Sequence, residues 1–254
     1  MHVFTRDPTA SWHADQEGLN RSRSQKLGCK HLSREADSIE PMNDSDQPEV
    51  NTLTERITFS EGLALQDQTV VDILSGKSTE KIILLEHEPV YTIGRLRDQS
   101  SLRASASLPH PVFETNRGGQ ATYHGPGQLV GYPILNLNNR GRDLHLHLRL
   151  IEDALITACN ELEIKAGRRS GMTGVWVEDR KIASIGVGVR KWISMHGFAI
   201  NVTRESLPPF LSITPCGLEG VSMSCLQAEA SQPIDMPLAT KIIASHLQRV
   251  FSEH

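Results

Sequence analysis

The segment Arg117-Gly118-Gly119-Gln120-Ala121-Thr122-Tyr123-His124-Gly125-Pro126-Gly127-Gln128 places four glycines and a proline among twelve residues. The apolar run 129–137 follows at once. Glycine removes the Cβ that holds other groups away from the backbone, and it does so at an entropic cost that an ordinary surface loop has little reason to bear. The pattern therefore predicts a binding loop at the entrance of a strand, with a plain turn between strands as the alternative. Pro133 within the run predicts an edge position or a bulge. The loop is not a phosphate cradle of either common kind. It lacks the terminal Gly-Lys-Ser/Thr of one, and a strand rather than a helix follows it, unlike the other.

Around this loop the periodicities alternate between strand and helix. Leu63, Leu65, Val70, Val71, Ile73 and Leu74 form a helical stripe ending near Gly76. Residues 81–87 read as a buried strand, 90–94 as a second extended piece, 96–110 as a loop, and 112–115 as the strand that delivers the glycine segment. Asp143 is placed to cap a helix over 143–164, on which Leu144, Leu148, Ile151, Leu155, Ala158, Cys159 and Leu162 recur. A hairpin follows, 174–178 and 181–189 about a turn at Asp179-Arg180, then a strand over 196–202 and a closing helix over 237–252. Strand clusters mixed with a few helices predict an α/β or α+β fold with mixed sheets and flanking helices.

Charge separates the chain into two parts. Residues 1–55 carry 10 acidic and 6 basic side chains, which leaves 20 of each in the remainder. Residues 1–50 are polar without a sustained period, the composition of a disordered extension, and 51–254 are expected to form one folded domain. Met42 offers a second possible start, and the acidic residues of the extension argue against a transit peptide. With no apolar stretch of the ~18 residues a membrane span needs and no apolar signal core near Met1, a cytoplasmic protein is expected. The balanced charge of the remainder does not favour nucleic-acid binding.

The four cysteines, Cys29, Cys159, Cys216 and Cys225, show neither metal-ligand spacing nor disulfide density. His145 and His147 stand two apart on a predicted helix and point to different faces, so no metal is expected. Cys159 belongs to an apolar stripe. Cys216 lies in the turn Thr214-Pro215-Cys216-Gly217, which presents a thiol instead of packing it, and is the candidate for chemistry.

Four motifs taken together carry a family resemblance. They are the 117–128 segment, Arg180-Lys181-Ile182-Ala183-Ser184-Ile185-Gly186, Met195-His196-Gly197-Phe198-Ala199-Ile200-Asn201-Val202 and Pro215-Cys216-Gly217. In order and spacing the chain resembles, over roughly residues 55–252, the lipoyl(octanoyl) transferases of the biotin/lipoate protein ligase fold superfamily. The resemblance implies transfer of an octanoyl group from octanoyl-acyl carrier protein to a lysine of lipoyl domains, those of 2-oxoacid dehydrogenase complexes and of the glycine cleavage H protein. It implies no cofactor, no metal and no membrane, and a monomer is expected. Cys216 is implied as the nucleophile that carries the acyl group as a thioester, with Lys181 as its partner. Arg117, Gly118, Gly119, Gln120, Ala121, Thr122, Tyr123 and His124, with Ser184, Ile185, Gly186, Gly197, Phe198 and Ala199, are implied to line the acyl and substrate site.

The chemistry of these residue types agrees. A thiolate is the nucleophile, and a nearby lysine raises the reactive fraction or takes the proton. Thioester exchange passes through an oxyanion, for which backbone N–H groups of the 117–127 loop or of the cysteine turn are candidate donors. His124 is expected either to donate to the acyl carbonyl or to hold the loop, and His196 to be structural. Gly186, Gly188, Gly197 and Ala199 leave room for an apolar slot or allow close strand packing. Both implied partners are acidic, and Arg140, Arg142, Arg168, Arg169, Arg190 and Lys191 are candidates for docking them. The alternatives are an ATP-dependent lipoate or biotin ligase of the same fold, which has no use for the thiol, and a non-catalytic carrier-binding module.

Overall fold

The computed structural model describes residues 47–95, 99–102, 108–214 and 220–254. Cys29, Met42, most of the expected N-terminal extension and Cys216 lie outside them. Eleven strands and four α-helices are described. In chain order they are β1 Glu49–Thr52, α1 Phe59–Leu74, β2 Lys81–Leu85, β3 Val90–Ile93, β4 Val112–Glu114, β5 Thr122–His124, β6 Gln128–Ile134 and α2 Leu144–Glu161. There follow β7 Gly167–Arg169, β8 Met172–Val177, β9 Arg180–Arg190, β10 Ile193–Asn201, β11 Ser222–Met223, α3 Leu226–Glu229 and α4 Met236–Ser252. The α/β reading with mixed sheets and flanking helices holds.

The large sheet runs β1-β2-β6-β10-β9-β8-β7, and the small one runs β4-β3-β5. Helices cover both faces of the large sheet, which is why β2 reads as a continuous apolar run instead of an alternating one. Ile82 and Leu84 pack with α2 and α4, while Ile83 and Leu85 pack with Val70, Leu65 and Ile73 of α1 on the other face. A third cluster, with Tyr91, Ile93, Ala121, Tyr123, Phe210 and Ile213, seals the small sheet.

Helix starts follow local chemistry. The Thr58 side chain accepts from the Glu61 N–H and the Glu61 carboxylate accepts from the Thr58 N–H at 2.8 Å, a reciprocal pair that starts α1 one turn ahead of its apolar stripe. Asp143 caps α2 as expected, accepting from the N–H groups of His145 and Leu146.

Three local expectations need correction, and two short strands were not expected. Thr122–His124 forms β5, so the glycine segment is two short turns about a buried strand and not one loop. Pro133 sits on β6, a central strand flanked by β2 and β10. It is tolerated because the β6–β10 ladder lapses beyond Gly131 and Phe198, and Ser194 Oγ bridges the gap by donating to the Pro133 carbonyl at 2.6 Å and accepting from the Leu135 N–H at 2.9 Å. The hairpin turn is Glu178-Asp179, with Glu178 at φ 54°, and Arg180 already belongs to β9. The short strands β7 and β11 carry too little periodicity to be read in advance; β11 pairs in parallel with Arg180 and Lys181, where β10 has already left β9.

Candidate functional site

Two close approaches build the site. The segment 117–119 lies against β3 and β9: the Arg95 N–H donates to the Arg117 carbonyl at 3.0 Å, and the Gly118 N–H donates to the Val187 carbonyl at 2.9 Å. Gly119 adopts φ 84°, and a Cβ on Gly186 would stand 2.8 Å from the Gly118 carbonyl oxygen. These glycines therefore serve close backbone packing as well as space, and any larger residue at 186 would push the segment off β9.

Arg117 is folded inward. Its Nη2 donates to the Thr92 carbonyl at 2.8 Å and to Thr92 Oγ1 at 2.7 Å, and its Nη1 donates to the Gly118 carbonyl at 3.0 Å. The guanidinium thus ties the segment to β3 while its charge stays beside the pocket.

The pocket is a narrow cleft between the two sheets with a free volume of about 50 Å³. Of the expected site residues, Arg117, Gly118, Gly119, Thr122, His124, Ser184, Ile185, Gly186, Gly197, Phe198 and Ala199 line it. A neighbouring depression of about 360 Å³, bordered by Lys181, Leu144, Leu148 and Met172, shares Gly118, Gly119, Ile185 and Gly186 with it. Ala121 and Tyr123 instead lie in the cluster beneath the small sheet, and Gln120 does not border the pocket. Lys181 is buried on β9 with Nζ 5.3 Å from the Trp176 ring centroid; Gly174 makes room for it, since a Cβ there would come within 2.6 Å of Lys181 Cε.

Phe59, Val130, Tyr132 and His196 also line the pocket. Phe59 precedes the apolar stripe from which the first helix is read and carries no signal of a site, and Tyr132 reads only as a strand residue. His196 adopts φ 57°, a left-handed conformation uncommon for a bulky side chain. Its N–H donates to Gln66 Oε1 at 2.7 Å, and its ring Nε2 pairs with Asn116 Oδ1 at 2.7 Å. From the pocket wall it thus holds Gln66 of α1 and Asn116, the residue before the glycine segment.

Three histidines surround the cleft, and burial keeps all of them neutral. His87 and His196 are pushed down to about 4 by desolvation, and His124 is held well below the ordinary imidazole range by desolvation and then by the neighbouring His87 and Arg117. His87 Nδ1 faces the Ile57 carbonyl at 3.0 Å, so this nitrogen carries the proton and Nε2 accepts from the Tyr132 hydroxyl at 2.6 Å. Tyr132 is itself shifted upward by burial and stays a phenol.

The candidate docking arginines are partly committed within the chain. Arg140 bonds Glu80 and the Phe251 carbonyl, Arg168 bonds Glu152 and Asp153, and Arg190 pairs with Asp67. Arg142 and Arg169 lie over the rings of Trp192 and Trp176. Among the described residues no group of His, Cys, Asp and Glu could hold a metal ion, and no helix is long and apolar enough to cross a membrane.

Residues 58–248 match the lipoyl protein ligase A/B catalytic domain family. A relative from Geobacter sulfurreducens, an octanoyltransferase, is 48% identical over 187 residues, covering 74% of this chain and 78% of its own. Another octanoyltransferase, from Geobacter metallireducens, is 45% identical over 199 residues, covering 78% and 91%. Among solved structures, a lipoate-protein ligase A bound with ATP aligns at TM-score 0.59 and 16% identity over 82% of this chain and 85% of that one. A putative lipoate protein ligase from T. acidophilum with bound lipoic acid aligns at TM-score 0.58 and 13% identity, covering 81% and 86%. At those identities the structural likeness speaks to the fold.

Proposed function

The chain belongs to the lipoyl protein ligase A/B catalytic family and is an acyltransferase that moves octanoyl groups in protein lipoylation, and from that premise we propose how its own residues do so. The Cys216 thiolate attacks the thioester carbonyl of octanoyl-acyl carrier protein. A new carbon–sulfur bond forms to Cys216, the bond to the carrier's sulfur breaks, and the carrier leaves as a thiol with the proton that Lys181 had taken from Cys216. The amine of a lipoyl-domain lysine then attacks the Cys216 thioester. An amide forms, the thiolate is regenerated, and the amine's proton passes to Lys181. Because a thioester is exchanged for an amide, the sequence needs no ATP.

The observation that carries this reading is the convergence, in one cleft, of three sequence-distant pieces: the 117–124 segment, Ser184–Gly186 of β9 and Gly197–Ala199 of β10. The depression that contains Lys181 opens from the same residues. A cleft of about 50 Å³ accommodates a water or two, whereas small-molecule sites usually span about 300–1,000 Å³. The acyl chain therefore runs on past Gly118 and Gly186 into the wider depression, or it displaces side chains as it enters. Arg117, Gly118, Gly119, Gln120, Ala121, Thr122, Tyr123 and His124 then act as one unit in which Ala121 and Tyr123 are the buried backing. The recipients are lipoyl domains of 2-oxoacid dehydrogenase complexes and the glycine cleavage H protein, met by a cytoplasmic monomer whose first residues are a leader outside the catalytic domain.

The test is octanoyl transfer from octanoyl-acyl carrier protein to a lipoyl domain in the absence of ATP, run on the full chain and on one cut before Gln47. Equal turnover of both is expected. An absolute requirement for ATP and free octanoate would replace the transferase by a ligase, and a large loss in the shortened chain would make the leader part of the enzyme.

A further inference from the structure

A single chain of hydrogen bonds crosses the back of the pocket, and its polarity is fixed from the Asn201 end. At one end is a guanidinium, which only donates: Arg117 Nη2 donates to Thr92 Oγ1 at 2.7 Å. At the other is a backbone carbonyl, which only accepts: Asn201 Nδ2 donates to the Ser224 carbonyl at 2.9 Å. With its amide nitrogen committed there, Asn201 turns Oδ1 toward Gln128 and accepts from Gln128 Nε2 at 2.9 Å. Gln128 is then left with Oε1 toward His124, 2.9 Å from Nδ1, so that nitrogen must carry the proton. From the other side, Thr92 Oγ1 has accepted from Arg117 and has its own hydrogen free for His124 Nε2, 3.4 Å away. The Asn201 end demands this tautomer, and the Thr92 hydroxyl, which can donate to Nε2 while accepting from Arg117, matches it.

We propose that Gln128 and Asn201 are positioning residues that lock His124 as its Nδ1–H form, so that it offers the pocket a hydrogen-bond acceptor and not a donor. The two amides face each other as a cross-strand pair of β6 and β10, and both are buried. An apolar pair would fill the same space without three bonds that must all be met at once. The link to Thr92 is long for a hydroxyl donor, which leaves Nε2 able to take a hydrogen bond from an incoming N–H or S–H. His124 therefore does not polarise the acyl carbonyl, and that task falls to backbone N–H groups. The chain also has a second destination. The Ser224 N–H donates to the Lys181 carbonyl at 2.9 Å, so the two amides tie His124 to the peptide of Lys181.

This inference rests on the acyl-transfer reading for its catalytic meaning but not for its test. Long-range proton–nitrogen correlation spectra of the full chain labelled in histidine nitrogen, with the His124 signals assigned by their loss in His124→Gln, read the tautomer directly. The expected pattern is Nδ1–H, unchanged through the neutral pH range. Gln128→Leu removes the acceptor and should mix the tautomers, with transfer falling about tenfold or more. Gln128→Glu, nearly isosteric, keeps the acceptor and adds a charge. It should make His124 titrate near neutrality and give the pH profile of kcat an inflection that the parent lacks. An Nε2–H pattern in the parent chain overturns the proposal, as does a Gln128→Leu chain that melts lower while its His124 signals stay those of Nδ1–H. The Nδ1–H pattern in a chain that transfers no octanoyl group supports the relay and overturns the acyl-transfer reading instead.

Discussion

Lys181 is held from three directions. Its side chain is buried over Trp176, Gly174 yields the space for Cε, and its backbone carbonyl receives the Ser224 N–H. A lysine so confined can exchange protons with groups that reach it but can supply little else, which defines what its removal should do. Lys181→Met is expected to lower kcat for octanoyl transfer by about 10²–10⁴-fold, the range for losing a general base, with KM for the carrier nearly unchanged. Lys181→Arg should not restore the rate, because a guanidinium does not give up its proton near neutral pH. Steady-state kinetics of the two variants check this, and restoration by arginine would reduce Lys181 to a fixed positive charge. The residues of the glycine segment could be picked out from sequence because glycine, arginine and histidine together are costly outside a site. Gln128 and Asn201 could not, since their meeting across 73 positions depends on the β6–β10 register.

Between elements, Glu152 does for β8 what the two amides do for the pocket wall. It is fully buried on α2, accepts from the Gly174 N–H at 3.0 Å, and bonds Arg149 at 2.6 Å and Arg168 at 2.7 Å. It thereby fixes the glycine against which Lys181 packs. Glu152→Ala is expected to cost about 3 kcal/mol, the lower end for breaking a buried pair because both arginines retain access to water. Urea unfolding measures this, and a loss under about 1 kcal/mol would place the pair with ordinary surface bridges. Elements with long stripes or capping residues, α1, α2, α4, β2 and β9, were legible because period and cap agree. The elements that escaped were short or made by context. β5 hides inside a glycine-rich stretch, β11 has two residues, and Pro133 is permitted on a central strand by a serine 61 positions away.

At the scale of the molecule, a fold with helices on both faces of its large sheet and a cleft between two sheets buries histidines that stay uncharged. His87, His147 and His196 are each pushed down to about 4, chiefly by desolvation, and His124 lies well below its ordinary value. An imidazole depressed in the folded state takes its proton first in the unfolded state. Stability is therefore full above about pH 6.5 and falls as pH drops toward 4, flattening only where the folded chain itself protonates. Urea midpoints between pH 7 and 5, where most carboxylates stay ionised, should decline steadily, and a flat profile would mean that water reaches these rings. The central claim is that the acyl group rests on Cys216 between partners. Intact mass after incubation with octanoyl-acyl carrier protein, ATP omitted, tests it most directly. The account predicts a hydroxylamine-labile gain of a single octanoyl group on the parent chain and none on Cys216→Ala, whereas an adduct that survives in Cys216→Ala would contradict it.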